Sequence, residues 1–153
     1  MKKASLLTAL ACAASLACWA GPAAAQFAKK EDAIKYRQSA LTLMASHFGR
    51  MTPVVKGQVP YDPARIKANV ALLRTLATLP WAGFGPGTEG GHAKDDIWLD
   101  EEGFKKAQQK LEDNLVKLSA AADAGDLDKL RAAFGDVGAS CKSCHDSYRQ
   151  KKN

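Results

Sequence analysis

Apolar residues recur at steps of three and four over four long stretches of the chain, which is the spacing of one face of an α-helix. The first stretch covers about residues 30 to 54 or 55, and its stripe consists of Ile34, Arg37, Leu41, Met44, Phe48, Met51 and Val55. Arg37 is the one charged member of this stripe, and Pro53 is expected to kink or end the helix. The alternation predicts a helix that contributes a seam to a bundle.

Three further helices are predicted from their apolar stripes and their end signals. The pair Asp62-Pro63, an N-cap followed by proline at the first helical position, starts the second helix, and Pro80 stops it. The third is predicted over about residues 101–124 and the fourth over about residues 127–150. Because no stretch alternates as a strand does, the fold is predicted to be an all-α, antiparallel four-helix bundle.

Residues 81–100 separate the second and third helices and are rich in residues that break helices. The breakers are Gly83, Gly85, Pro86, Gly87, Gly90 and Gly91. A loop of this length exceeds a plain connection in a small bundle, and loops of that kind usually carry function. We therefore expect it to contribute to a site.

A targeting signal is predicted before the bundle. Two lysines near the start are followed by almost continuously apolar residues 4–20, and small residues stand at −3 and −1 before a cleavage point after Ala25. Cleavage there leaves residues 26–153 as one exported, periplasmic domain. A retained anchor and a lipoprotein-type cut before Cys18 are the alternatives. No later apolar run reaches the ~18 residues that a membrane helix needs.

Composition changes this picture little. The 153 residues are 46% hydrophobic and 25% charged, which is ordinary for a globular domain and excludes a disordered or collagen-like chain. The net charge of +6 falls to +4 once Lys2 and Lys3 leave with the signal. This small basic excess does not predict a nucleic-acid partner.

Two cysteines remain in the exported chain, in the motif Cys141-Lys142-Ser143-Cys144-His145. Cys-x-x-Cys-His is the attachment sequence of c-type haem, in which the thiols add to the vinyl groups and the histidine binds the iron. On the fourth helix Cys141, Cys144 and His145 share one face, because they are three and four positions apart. The motif therefore predicts one covalent haem c, held between helices, with His145 as the metal ligand.

Two other interpretations of the motif remain open. An exported Cys-x-x-Cys pair is also the pattern of a redox dithiol. A zinc site would need further ligands, and His47 and His92 are the histidines left to supply them.

A resemblance to the cytochrome c′ family covers about residues 26–152. It rests on the four predicted helices with Cys-x-x-Cys-His on the last one, and on four further segments: Tyr36-Arg37-Gln38, Leu41-Thr42-Leu43-Met44, Trp81-x-x-Phe84-Gly85 and His145-x-x-x-Arg149. In the small cytochromes of the other main class the motif lies near the N-terminus. The chain therefore resembles cytochrome c′ throughout its predicted domain.

The resemblance implies roles for individual residues. Cys141 and Cys144 match the thioether cysteines and His145 matches the proximal ligand. Arg37 and Gln38 match a pair near the haem propionates.

Leu41 matches the apolar residue over the distal face, and Arg149 matches a basic residue beside the proximal pocket. His92 stands where close relatives have an aspartate that touches the haem edge, so the resemblance leaves its role open. Thr88 and Glu89 in the same loop are the alternative contacts.

The sixth position of the iron separates the possible functions. With Leu41 over the iron, the protein is expected to be a five-coordinate haem protein that binds NO and CO and exchanges electrons with a redox partner that the sequence does not identify. If Met44 binds instead, it is a six-coordinate Met–His electron carrier. A peroxidase-like enzyme ranks last because no distal His-Arg pair is recognisable, and we expect a protein that is not an enzyme.

A homodimer is also expected. The family commonly pairs through its first two helices. Here the second helix has an apolar face wider than one seam requires, with Leu72, Leu76 and Leu79 beside Ile66, Val70 and Leu73.

Overall fold

The computed structural model describes residues 26–151, and its helices follow the apolar stripes closely. The predicted signal, its cleavage after Ala25 and the first domain boundary lie outside the described residues. The described residues form four long helices and two short ones: α1 (Lys30–Gly49), α2 (Thr52–Val55), α3 (Pro63–Ala77), α4 (Asp96–Leu99), α5 (Glu101–Asp123) and α6 (Leu127–Tyr148). Between residues 26 and 151 there is no strand, and the one isolated bridge joins Ala93 to Arg149. The predicted all-α bundle is confirmed.

Three of the four long helices, α3, α5 and α6, begin where an aspartate side chain caps them. The Asp62 carboxylate accepts a hydrogen bond from the Arg65 N–H at 3.1 Å at the start of α3. Asp100 caps α5 in the same way, and Asp126 caps α6 by accepting from two backbone N–H groups at 3.0 Å. These caps satisfy N–H groups that have no partner within the helix, which fixes the first turns.

The predicted first helix is correct as far as Gly49 and wrong only in its last few residues. It ends at Gly49, and a separate single turn, α2, starts at Thr52 with Pro53 in its first turn. Proline lacks the N–H that would continue the helix, and its ring clashes with the carbonyl four positions earlier. Pro53 therefore starts a new turn, which confirms the expectation that it kinks or ends the first helix.

The long helices pack in chain order, α1 on α3, α3 on α5 and α5 on α6. Their inward stripes form one core whose most deeply buried large side chains include Met51, Leu73, Leu118 and Leu130. The gap between α1 and α6 is closed at one end by the stacked rings of Phe48 and Phe134, whose centroids lie 4.1 Å apart. Beyond these rings, toward the last turns of α6, the two helices diverge around a cavity.

The glycine-rich segment 81–100 is largely ordered structure. A 3-10 turn (Pro80–Phe84) lies against α1, and α4 packs on α5 and α6. Gly83 allows this close approach, because a Cβ there would lie 2.8 Å from both the Ala33 carbonyl oxygen and Arg37 Cβ. In the described part of the chain no helix is long and apolar enough to cross a membrane.

Candidate haem site

A cavity of about 630 Å³ lies between α1, α5, α6 and the segment 81–100. Its volume is within the range of ~300–1,000 Å³ found for small-molecule pockets. All eight residues selected from the sequence line this cavity: Arg37, Gln38, Leu41, His92, Cys141, Cys144, His145 and Arg149. Residues separated by more than 100 positions in the chain are thus brought to one site.

The two cysteines lie on the α6 wall, and both are half-buried. Burial, followed by the neighbouring Cys141, raises the pKa of the Cys144 thiol to about 11. Burial also raises the pKa of Cys141. Redox dithiols depend on a thiol with a lowered pKa, so this environment does not favour that alternative.

The zinc alternative receives no support from the described residues. Between residues 26 and 151 no three His, Cys, Asp or Glu side chains are grouped closely enough to hold a metal ion. His47 instead contacts Asn69, with its Nδ1 2.8 Å from the Asn69 Oδ1.

His145 lies in the last turn of α6, at the rim of the cavity and partly open to solvent. Burial, followed by the positive charge of Arg149, lowers its pKa below the ordinary value near 6.5, while Asp146 opposes the shift. The imidazole is therefore neutral at pH 7, with a ring nitrogen lone pair available. That is the protonation state in which histidine binds a metal ion.

Arg37 is 2% exposed, and its guanidinium binds backbone carbonyl groups of the loop instead of a carboxylate. Nη1 donates to the carbonyl oxygens of Gly83 at 2.6 Å and Thr88 at 2.7 Å, and Nη2 donates to that of Gly90 at 2.7 Å. The guanidinium carbon lies 4.6 Å from the centre of the Phe84 ring. Burial lowers the Arg37 pKa, and no ion pair of Arg37 occurs among residues 26–151. Arg37 thus places a positive charge in the cavity wall.

The remaining predicted residues occupy different parts of the wall. Leu41 is half-buried on α1, whereas Gln38, His92 and Arg149 are exposed at the rim. The alternative contacts in the loop are not among the lining residues. Thr88 Oγ1 donates to the Gly85 carbonyl oxygen at 2.7 Å, and the Glu89 carboxylate accepts from the Gly87 N–H.

An aromatic wall completes the cavity. Phe104 lies at its centre, with its ring centroid 5.1 Å from that of Phe84, 5.2 Å from that of Tyr148 and 6.1 Å from that of Trp81. The Trp81 Nε1–H is buried and has no hydrogen-bond partner among the described residues. A large planar ligand with polar groups at one edge fits these features, because the rings offer flat apolar surface and the indole N–H needs an acceptor.

Sequence reasoning missed a buried polar pair beside the cysteines. The Asn114 Nδ2 on α5 donates to Ser140 Oγ on α6 at 2.7 Å, and Ser140 lines the cavity. Asn114 stands three positions after Leu111 and four before Leu118, so its place on an inward stripe was the available signal. The pair fixes α5 against α6 one residue before Cys141.

Comparison with known proteins agrees with this geometry. The family model for cytochrome c′ matches residues 32–149. Cytochrome c′ of Alcaligenes xylosoxydans xylosoxydans is 78% identical over 127 residues, covering 83% of this chain and all of the relative. Cytochrome c′ of Rubrivivax gelatinosus is 46% identical over 129 residues, covering 82% of this chain and all of the relative.

Solved structures give the same result. A nitric oxide complex of a mutant cytochrome c prime from Alcaligenes xylosoxidans superimposes with a TM-score of 0.82 at 76% identity, covering 83% of this chain and all of that one. The resemblance and the haem c prediction are confirmed. The chain belongs to the cytochrome c′ family, and its cofactor is one haem c bound covalently through Cys141 and Cys144.

Proposed function

We propose that this chain is a periplasmic c-type haem protein with five-coordinate iron that binds NO and CO and takes part in electron transfer, and that it is not an enzyme. Haem iron, when bound, supplies reversible binding of diatomic ligands and one-electron exchange. The observation that carries the proposal is the apolar α1 wall opposite the cysteines. There Leu41 lines the cavity with a side chain that has no donor atom.

His145 is the residue that would bind the iron in this proposal. Its lowered pKa keeps the imidazole neutral, and its place on α6 follows directly from Cys144. Leu41 covers the opposite side and excludes water, because a water molecule there would lack hydrogen-bond partners. A small neutral ligand can enter by displacing the leucine side chain, whereas an anion would lose its solvation without compensation.

The basic residues have different tasks. Arg37 presents a buried positive charge that favours carboxylates of a bound ligand, while its donors hold the loop at residues 83–90. Gln38 and His92 stand at the exposed rim, where they can contact polar edge groups of the haem. Arg149 stands beside His145 and places a positive charge on the proximal side, and this charge contributes to the lowered pKa of His145.

Nitric oxide is the favoured ligand class. Structures of cytochrome c prime from Alcaligenes xylosoxidans include nitric oxide complexes at 76% identity to this chain. If haem is held through Cys141 and Cys144, His145 would be the residue that binds its iron, and the iron would supply the NO-binding chemistry.

Met44 supports a second candidate, the six-coordinate Met–His electron carrier. Its side chain lines the cavity, yet it is 7% exposed and belongs to the main apolar core. Replacement of methionine by leucine nearly conserves volume, so Met44→Leu separates the two candidates without a large packing change.

Absorption spectra of the mature protein test both candidates. The parent and Met44→Leu should show the same high-spin ferric and ferrous spectra, and CO should change the ferrous spectrum only weakly. Leu41→Ala should raise CO affinity, whereas Leu99→Ala, the same change at an 83% exposed position, should not. A methionine signature in the ferric parent that disappears in Met44→Leu would establish the Met–His carrier instead.

Homodimer formation through α1 and α3 is part of the proposal, with one correction to its basis. Leu76 was expected on the outer face but is 8% exposed and belongs to the core, because it points toward the other helices. Leu72 on α3 is 45% exposed, Leu79 just after α3 is 36% exposed, and Leu43 on α1 is 48% exposed. These side chains support an apolar contact between two copies.

A further inference from the structure

The end of α6 is capped by a residue from a distant loop. An α-helix leaves its last four carbonyl groups without partners inside the helix. In α6 these belong to His145, Asp146, Ser147 and Tyr148, and the first accepts from the Arg149 N–H at 3.1 Å.

The other three carbonyl groups are all bound by Lys94. Its Nζ donates to the carbonyl oxygens of Asp146 at 2.9 Å and Ser147 at 3.0 Å. Its backbone N–H donates to that of Tyr148 at 3.0 Å. The ammonium group also lies at the negative end of the helix dipole, where a cation is stabilised.

The contact continues beyond the helix. The Gln150 N–H donates to the His92 carbonyl oxygen at 2.9 Å, and the Gln150 side chain donates to that of Ala93 at 3.1 Å. Ala93 and Arg149 form the isolated antiparallel bridge. We define the paired segments His92–Lys94 and Tyr148–Gln150 as the clasp.

The clasp lies next to the last turn of α6, which carries His145, the proposed iron ligand. His145 is four residues from the end of α6, in the turn that frays most readily in an isolated helix. No glycine follows Tyr148 to close the helix in the usual way, and Arg149 is extended instead, with φ −113°. Without the Lys94 ammonium, the carbonyl groups of Asp146 and Ser147 would depend on water, and the backbone that carries His145 would be free to open.

We propose that Lys94 is a positioning residue for the iron ligand. By capping α6 it holds the His145 backbone against the cavity. It thereby keeps the imidazole oriented toward the haem. This inference rests on the proposed role of His145. Lys94 acts through the helix end and does not touch the cavity, since it is not among the residues that line it.

Four proteins test the proposal as ferric and ferrous holoproteins: the parent, Lys94→Met, Lys94→Arg and Lys142→Met. Methionine keeps a long apolar stem but removes the charge and the side-chain donors. Arginine retains both, so it is the rescue variant. Lys142→Met is the matched control, because Lys142 pairs with the Asp146 carboxylate on the same turn and makes no contact with the terminal carbonyl groups.

Two readouts are measured on these proteins. Amide hydrogen exchange in a peptide covering residues 144–151 of the ferric form should be about tenfold faster in Lys94→Met, and near the parent rate in Lys94→Arg and Lys142→Met. The iron–histidine stretching band of the ferrous form should shift or broaden in Lys94→Met alone.

The outcomes separate the two proposals. Unchanged exchange in Lys94→Met overturns the capping role, and faster exchange with an unaltered iron–histidine band overturns the positioning role. If Lys142→Met has the same effects as Lys94→Met, charge near His145 is responsible and the clasp is not. Absence of the band in the parent itself would refute His145 as the ligand, which is a failure of the proposed function.

Discussion

Replacement of Arg37 by methionine removes three hydrogen bonds to carbonyl groups and a longer one to the Thr88 hydroxyl, and it should loosen the loop that forms one cavity wall. The three carbonyl bonds run to the oxygens of Gly83, Thr88 and Gly90, at 2.6 to 2.7 Å. A hydrogen bond to a charged group contributes about 1.5–3 kcal/mol. One of the three acceptors keeps a weaker partner, since the Ala93 N–H lies 3.3 Å from Gly90 O, whereas the Thr88 hydroxyl near Gly83 O donates its proton to Gly85 O at 2.7 Å.

Burial of the guanidinium carries a desolvation cost, which also lowers the Arg37 pKa, and this cost offsets part of the stabilisation that its hydrogen bonds provide. We expect Arg37→Met to lower the free energy of unfolding by about 3 kcal/mol, which corresponds to roughly 10 °C in Tm for a domain of this size.

Guanidinium chloride unfolding of the ferric protein, followed by circular dichroism, measures the effect. Lys35→Met is the control, because it removes an exposed lysine two positions away on the same helix. Arg37→Lys should be intermediate, since an ammonium keeps the charge but cannot match the planar fork of donors. A loss below 1 kcal/mol in Arg37→Met, or an equal loss in Lys35→Met, would refute the argument that this cation holds the loop.

Three further changes follow from other contacts. Gly83→Ala should cost about 1–3 kcal/mol in denaturant unfolding, because its Cβ would lie 2.8 Å from the Ala33 carbonyl oxygen. Leu72→Glu should convert a homodimer to a monomer in analytical ultracentrifugation, whereas Val116→Glu, an exposed change on α5, should not. Asp126→Ala should lower stability at pH 6, and its difference from the parent should shrink toward pH 2. The capping N–H of Lys129 and then the Lys129 side chain lower the Asp126 pKa, so this stabilisation is present above the unfolded pKa and is lost as pH falls through the folded one.

Helix periodicity predicted the bundle well because the determinants of a long amphipathic helix are local. The third predicted helix differs from α5 by one residue at its end, and the start of α3 at Asp62 follows from a capping residue and the proline after it. The interruption between α1 and α2 is not visible in the apolar stripe, since Met51 and Val55 continue it across Pro53, and the proline itself was the signal. Only the backbone chemistry of proline decides that the stripe is carried by two helices.

The residues that bind the cofactor were predictable from the sequence, whereas the hydrogen bonds that hold the walls of the site in place were less so. The Cys141–His145 motif predicted the cofactor that the family comparison confirms, and its place as a charged residue on an apolar stripe marked Arg37 as a candidate site residue. Sequence alone could not show that the Arg37 donors bind loop carbonyl groups, because a backbone acceptor has no signature in residue type. Lys94 was missed for the same reason, since it is one of many lysines and its acceptors are main-chain atoms some 50 positions away.

The glycine-rich loop connects α3 to α5 in the chain, and it also contacts α1 and α6, the two helices that face each other across the cavity. Arg37 binds its first half to α1, and Lys94 binds its second half to the end of α6. Covalent attachment holds the haem to α6, so the loop determines how the opposite wall and the histidine turn are placed around it. In each attachment a cation binds carbonyl groups instead of carboxylates. The two attachments couple both walls of the cavity to one segment. The length of that loop, which a plain connection would not need, is explained by this double attachment.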